Sequence, residues 1–203
     1  MTIRLAVRLL LSGALLLALP AAAAAADFLV EPFLAWSRSP ATEGSATDTG
    51  AWHPGGGVGV NWLAGSLVAG AEIGYASAFF DPSQPASDLI QSSHLLTVSG
   101  TVGVSRRLAG EHRILPYATG GAGLMRQQAR DREGLINVTR NDPAINMGGG
   151  TRIFVTRYIG LGGDLRYFVN LKKPFDQPTD LTSGIGRLTF WRVTAFAVLQ
   201  FGD

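Results

Sequence analysis

Apolar and polar residues alternate one by one along residues 158–171, YIGLGGDLRYFVNL. One face of this segment carries Leu161 and Leu165, and the opposite face carries Asp164 and Arg166. A period of two residues is typical of a β-strand, whose successive side chains point to opposite sides. In a soluble barrel the aliphatic face turns inward, whereas in a membrane barrel it turns outward to lipid. The rest of the chain must decide between the two.

Eight segments of this kind, separated by turn-forming residues, follow one another along the chain. We predict strands at residues 27–38, 55–64, 67–79, 92–107, 113–127, 144–155, 158–171 and 188–201. Strands of about 10 residues or more are long enough to cross a bilayer when they are tilted. There is no second apolar run of helix length after residue 19, so a membrane-spanning chain must span with strands.

The connections between these strands are alternately long and short. The connections after the first, third, fifth and seventh strands are long and polar, whereas those after the second, fourth and sixth are short, as at Gly65-Ser66 and Thr156-Arg157. Short periplasmic turns and long external loops are typical of outer-membrane barrels. The sequence therefore predicts an all-β fold, an eight-stranded antiparallel up-and-down transmembrane β-barrel, with Leu161 and Leu165 facing lipid.

Aromatic residues fall at two levels when the apolar faces are turned outward. Amphipathic rings favour the two membrane interfaces, so these levels are expected to form belts. The residues are Phe28, Trp62, Tyr117 and Phe201 near the short turns, and Trp36, Phe79, Tyr167 and Trp191 near the long loops. The fifth strand allows two registers: Tyr117 with Thr119, Gly121 and Gly123 outward, or Ala118, Ala122 and Leu124 outward. We prefer the first because it places Tyr117 in the belt.

The faces opposite the lipid collect charged residues among glycines. An eight-stranded barrel has an interior only wide enough for side chains, so enclosed charges must pair or hold water. We predict a charge network in the lumen formed by Glu31, Glu72, Asp164, Arg107, Arg152, Arg166 and Arg192.

The N-terminus, MTIRLAVRLLLSGALLLALPAAAAAADF, has two arginines, a short apolar run and a stretch of alanines. This pattern indicates a secretory signal peptide over residues 1–26, followed by one barrel domain over residues 27–203. Without Arg4 and Arg8, the 17 basic residues fall to 15, which equals the 15 acidic residues. A neutral mature chain gives no reason to expect a nucleic-acid partner. The absence of cysteine excludes thiol chemistry and a disulfide framework.

Two segments resemble a known superfamily. PYATGGAGLM at 116–125 and MGGGTRIFVTRYIGLGGDLRYF at 147–168 combine glycine-rich strands, a tight turn and a strand ending in Asp-Leu-Arg-Tyr. In these segments the sequence is similar to the OmpA-like and OmpX-like eight-stranded outer-membrane β-barrels. The resemblance implies location in the outer membrane and insertion by the barrel-assembly machinery, which reads an aromatic residue at the end of the last strand. Here Phe201 is followed by Gly202 and Asp203.

The candidate catalytic and metal-binding residues are sparse. Ser92 and His94, with Asp88 upstream, suggest a lipid hydrolase, but side chains two residues apart on a strand lie about 6 to 7 Å from each other. A polar strand end at the membrane interface explains them without catalysis. His53, His94 and His112 fall on different connections or rims, so no metal site or cofactor is expected.

Basic residues cluster towards the long loops, where lipopolysaccharide presents phosphates that Arg binds bidentately. They are Arg126, Arg130, Arg132, Arg140, Lys172, Lys173 and Arg187. Plain solvation explains them equally well.

The main hypothesis is a small monomeric outer-membrane barrel with a structural or surface-interaction role. Its charge network plugs the lumen or leaves at most a narrow gated pore. An enzyme modifying lipid A or phospholipid is the first alternative. A soluble periplasmic barrel that binds an apolar ligand is the second.

Overall fold

A computed structural model of the protein describes residues 27–38, 52–77, 90–108, 113–131, 137–171 and 189–202. The predicted signal peptide, 1–26, and most of the long connections lie outside the described residues. Three residues singled out in the sequence also lie outside the described residues. They are Phe79, a predicted belt residue, Asp88, part of the possible catalytic group, and His112, in a predicted turn.

Eight antiparallel strands form a closed barrel in which each strand pairs with its neighbours in the sequence. The barrel closes where the first strand pairs with the last, for example Val30 with Leu199. Among the described residues no helix is long and apolar enough to cross a membrane. The strands are β1 (Asp27–Arg38), β2 (Trp52–Ala64), β3 (Leu67–Ser77), β4 (Ile90–Ser105), β5 (Arg113–Asp131), β6 (Asn137–Phe154), β7 (Ile159–Asn170) and β8 (Thr189–Phe201).

The fold class and the number of strands predicted from the sequence are therefore confirmed, whereas several boundaries differ. β2 begins three residues early, and β5 and β6 extend well beyond their predicted ends, with Gln128 paired to Thr139 and Arg130 to Asn137. The added residues, QARD at 128–131 and NVTRNDP at 137–143, are mostly polar, so their sequence shows no apolar alternation. Their backbones pair as the continuation of the two strands.

Side chains on the outer face of the barrel are predominantly apolar and those on the inner face include the charges. Leu161 is 61% exposed and Leu165 is 47% exposed, whereas Asp164 and Arg166 between them are buried. This sidedness is the predicted one. It is the reverse of what a soluble barrel with an apolar ligand inside requires, because such a barrel places its apolar face inward.

The preferred register of β5 is wrong. Tyr117 is only 6% exposed and faces the lumen, as does Thr119, whereas Leu124 is 59% exposed on the outer face. The phenol hydroxyl of Tyr117 donates a hydrogen bond to Asp164 Oδ2 at 3.0 Å inside the barrel. That buried polar partner determines the strand's orientation, and an aromatic belt position does not.

Glycine makes space inside the barrel at the points where large side chains cross it. A Cβ on Gly162 would lie 2.3 Å from Cε2 of Phe196, so only glycine leaves room for that ring. Gly65, in the two-residue turn between β2 and β3, has a φ of 62°, a conformation that glycine adopts without strain.

The lumen has two apolar clusters. The second lies towards the long connections, whereas the first extends from the short turns to Tyr117, Phe33 and Ala35, which lie beside the charged residues. The first contains Leu29, Phe33, Ala35, Leu63, Val68, Leu115, Tyr117, Phe196 and Val198. The second contains Ala76, Leu95, Met125, Ala144, Phe168 and Phe190.

Candidate functional site in the barrel lumen

Six buried charged residues form the middle of the lumen. Each lies on the inner face of its strand, as do the residues two positions before and after it, because side chains alternate between the two faces of a strand. They are Glu31 on β1, Glu72 on β3, Arg152 on β6, Asp164 and Arg166 on β7, and Arg192 on β8. Each of these residues is at least nine-tenths buried, so the network is shielded from water.

Glu31 and Arg152 form a two-point ion pair across the lumen. Arg152 Nε donates to Glu31 Oε1 at 2.5 Å, and its Nη2 donates to Oε2 at 3.2 Å. Asn61 Nδ2 donates a further hydrogen bond to Oε2 at 2.8 Å. The Arg152 guanidinium also lies 4.0 Å from the centre of the Tyr117 ring, a cation–π contact. Planar pairing of this kind is strong and directional.

The other carboxylates share two arginines. Arg192 Nη2 lies 2.5 Å from Glu72 Oε1. Arg166 connects both acids, since its Nε is 2.7 Å from Asp164 Oδ2 and its Nη1 is 3.3 Å from Glu72 Oε2. The second of these contacts is an ion pair without hydrogen-bond geometry, because Nη1 has no hydrogen-bond partner.

Asp164 accepts three hydrogen bonds, as many as Glu31. Arg166 and Tyr117 both donate to its Oδ2. The Thr194 hydroxyl on β8 donates to its Oδ1. A buried carboxylate that accepts several hydrogen bonds is held in one position.

The arrangement is electrically balanced and closely packed. Three carboxylates face three guanidinium groups, so the lumen carries no net charge at this level. The cavity bounded by Glu31, Glu72 and Asp164 has a volume of about 10 Å³. That volume is enough for roughly one water molecule. The site is therefore suited to closing the barrel and leaves no space for a solute.

Arg107 does not belong to this network, and its assignment to the lumen is wrong. Its side chain is 69% exposed and pairs with Asp27 at 2.5 Å. Arg107 follows the end of β4 at Ser105, so it lies in the short connection to β5 rather than on an inner face. Side chains alternate between the two faces only within a strand. The predicted fourth strand ended two residues too late, so the alternation was wrongly extended to Arg107.

The predicted belt residues are otherwise found on the outer face, apart from Tyr117 and from Phe79, which lies outside the described residues. Phe28 contacts both Trp62 and Phe201 at the short-turn end, with ring centroids 5.3 and 6.1 Å apart. At the other end Tyr167 and Trp191 are in contact at 4.7 Å. Trp36 is 43% exposed. The structure also adds Trp52, which is 51% exposed at the start of β2.

The possible catalytic histidine is engaged elsewhere. His94 Nδ1 lies 2.5 Å from the hydroxyl of Tyr75 on the outer surface, and the two rings stack. His53 is buried on the inner face of β2. The described residues hold no group of three or more acidic residues and histidines able to bind a metal ion.

Sequence reasoning missed three members of the lumen network: Asn61, Tyr117 and Thr194. Thr194 lies two residues after Arg192 and therefore on the same face of β8, and Asn61 is an isolated polar residue between Val60 and Trp62. The inward parity of Asn61 was a usable signal. For Tyr117 the parity was ambiguous, since both faces of β5 consist mainly of small residues.

Comparisons with known proteins agree with this architecture. The family model described as outer membrane protein beta-barrel domain matches residues 9–187. No curated protein matches the sequence.

Several solved structures share the fold. The crystal structure of Neisserial surface protein A has a TM-score of 0.63 at 13% identity, covering 86% of this chain and 97% of that chain. A major outer membrane protein from Thermus thermophilus gives 0.59 at 15% identity, covering 87% and 100%. Ail, the attachment invasion locus protein of Yersinia pestis, gives 0.56 at 14% identity, covering 87% and 99%. The chain thus belongs to the outer membrane protein β-barrel family.

Proposed function

We propose that this protein is a closed outer-membrane barrel whose role is structural or depends on its surfaces, and that it does not conduct solutes. The observation that carries the proposal is the filled, neutral middle of the lumen, where three carboxylates pair with three arginines and the cavity beside the carboxylates measures only about 10 Å³. An ion crossing this level has to displace paired buried charges, which is costly in a low dielectric.

The two apolar clusters support the same proposal. Phe168 and Phe190 stack with ring centroids 4.8 Å apart above the charged level, and Leu29 and Val198 are fully buried below it. Any path for ions therefore has to pass these packed apolar side chains as well as the charged level. Near the long connections the apolar side chains share the lumen with buried polar residues, among them Gln127, Asp142 and Asn170.

The surface contacts are proposed from the residues that face outward. The exposed Arg126 lies on the outer face of β5 near the long connections, and a guanidinium there suits lipopolysaccharide phosphates. Phe201 is 54% exposed at the end of β8, as a ring contacted by the barrel-assembly machinery must be. The proposed functional unit is a monomer.

An enzymatic role is the weaker proposal. His94 holds Tyr75 rather than a serine, and neither residue has a carboxylate partner within the part of the chain that the structure describes. Nothing in this geometry favours hydrolysis of lipid A or phospholipid.

Planar-bilayer recording tests the closed state. Purified protein inserted into a planar lipid bilayer is expected to give no large, steady channels, in contrast to a general porin inserted as the positive control. Steady open channels in the wild-type protein, at the insertion frequency seen for the porin, would reject the proposal.

A further inference from the structure

The outer wall of the barrel is concave over β6, β7 and β8. A groove of about 550 Å³ lies there, with Gly149, Thr151 and Gly163 at its floor and Ile153, Leu161, Leu165 and Val193 along its sides. Thr151 pairs with Gly163, and Gly163 pairs with Ala195, so three small outward-facing residues lie side by side across the strands. The missing side chains at the two glycines create the depression.

The groove requires a hydrocarbon occupant. Because the chain belongs to an outer-membrane barrel family, this face meets the bilayer core, where water does not stabilise an open cleft. An unfilled gap forfeits the dispersion contacts of every atom that lines it. Apart from the Thr151 hydroxyl, the outward-facing side chains at the groove are aliphatic or absent. Asp164 and Thr194 also border it, but their side chains point into the lumen.

The dimensions favour one acyl chain over a second barrel. Leu161 and Leu165 are four residues apart on β7, so their Cα atoms are about 13 Å apart. Their side chains narrow the space between them. A flexible hydrocarbon chain fits between these two side chains. The convex surface of a second barrel would contact only the ends of the side chains and would leave the groove empty.

A cation lies at the turn end of the same two strands. Arg157 and Tyr158, both exposed, occupy the β6–β7 turn, with the guanidinium 5.4 Å from the ring centre. Arg157 is six residues from Gly163, which on a strand tilted by about 40° is about 15 Å along the membrane normal. Half of the hydrocarbon core is also about 15 Å. A lipid with its phosphate at Arg157 therefore reaches the groove with the end of its chain.

We infer that this groove is a binding site for a glycerophospholipid of the leaflet at the short-turn end. One acyl chain lies over Gly163 and Thr151, and the phosphate contacts Arg157. Because lipopolysaccharide occupies the opposite leaflet, this site does not depend on the external loops or on whether the lumen conducts.

Native mass spectrometry tests the inference. The protein is reconstituted in nanodiscs with an equal mixture of phosphatidylethanolamine and phosphatidylglycerol, then released into mild detergent and sprayed. The wild-type protein is expected to retain one phospholipid. Thr151→Leu fills the groove and should raise Kd about tenfold, so the ratio of lipid-bound to lipid-free protein should fall by about the same factor. Arg157→Gln should lower it as well.

Ala71→Leu is the matched control, because Ala71 is an exposed small residue on the outer face of β3, away from the groove. It should retain lipid like the wild type. Heat-modifiable gel migration verifies that every variant is folded. Equal retention by wild type and Thr151→Leu would overturn the inference, as would no adduct in the wild type. When the protein is extracted from native outer membranes, retention of lipid A instead of phospholipid, or a dimer that Thr151→Leu abolishes, would also overturn it.

Discussion

Arg152 and Arg107 show that the contribution of an arginine to stability depends on its position in the barrel. Arg152 is completely buried and pairs with Glu31 through two nitrogens, whereas the side chain of Arg107 is 69% exposed and pairs with Asp27 through one. Removing one partner of a buried pair leaves an uncompensated charge in a low dielectric. Removing one partner of an exposed pair leaves a charge that water solvates.

Replacement of these two arginines is therefore expected to have unequal effects. Arg152→Met should lower the free energy of unfolding by about 3 to 5 kcal/mol, because Glu31 remains buried without its cation. Arg107→Gln should change it by less than about 1 kcal/mol. Urea unfolding in lipid vesicles, followed by tryptophan fluorescence, measures both.

The double variant Glu31→Gln with Arg152→Met tests the explanation. It should recover much of the stability lost in Arg152→Met, since no isolated charge remains in the lumen. If the double variant is no more stable than Arg152→Met, the isolated Glu31 charge does not explain the loss.

The sequence predicts six of the seven proposed lumen charges at their observed positions, because each lies within a strand whose alternation is clear. Arg107 fails because alternation carries no information beyond the end of a strand. Tyr117 fails for a different reason. Both faces of β5 are small next to Tyr117, and the polar contacts of its ring come from other strands: Asp164, 47 positions away, and Arg152.

At the scale of the strand, glycine determines what the barrel can enclose. Gly162 on β7 lies under the Phe196 ring, and Gly74 on β3 lies beside Arg192 Nη1 and Thr97 Oγ1. Large inward residues on one strand are thus accommodated by missing side chains on another. The interior of an eight-stranded barrel is just wide enough for its own side chains to fill it.

Gly162→Ala is expected to impair folding of β7 against β8. Its Cβ would approach Cε2 of Phe196 to 2.3 Å and the carbonyl oxygen of Thr151 to 2.6 Å. Overpacking of this kind costs about 1 to 3 kcal/mol or more. The measurement is the fraction of protein that refolds into lipid vesicles, read from heat-modifiable migration.

Gly59→Ala is the control, because a Cβ there meets nothing closer than 3.8 Å. It should refold like the wild type. Gly162→Ala combined with Phe196→Leu should refold better than Gly162→Ala alone, since the ring is the movable obstacle. If Gly162→Ala and Gly59→Ala refold equally well, β7 accommodates the added methyl group at residue 162 without loss of stability, and the prediction is wrong.

The strand count, and the sidedness of every strand except β5, could be read from the sequence because period-two alternation survives in those strands. The parts of β5 and β6 near the long connection could not, since residues 137–143 are mostly polar and pair through their backbone. The outer groove could not be predicted from the sequence either, because glycines occur on both faces of the strands and their presence alone does not indicate a depression in the outer surface.

At the scale of the whole molecule, the lumen is closed by three successive levels. Leu29, Leu63, Val68, Leu115 and Val198 of the first cluster lie on the short-turn side of the charged residues, and the second cluster lies on the other side. Phe33 and Tyr117 of the first cluster lie beside the charges. Each level spans residues from at least three strands. Because the levels are in series, an ion must cross all of them. Opening one level should leave the other two closed.

Stepwise enlargement of the lumen tests this arrangement. Phe168→Ala with Phe190→Ala removes two stacked rings of the cluster near the long connections, yet the protein should remain without steady channels in planar bilayers. Adding Arg192→Ser and Glu72→Ser, which removes one ion pair without leaving a lone partner, should still give no steady conductance. Only the further addition of Phe196→Ala with Leu29→Ala, in the remaining cluster, is expected to produce it. Steady channels after the first pair alone would show that a single level holds the barrel closed, and the serial arrangement would be wrong.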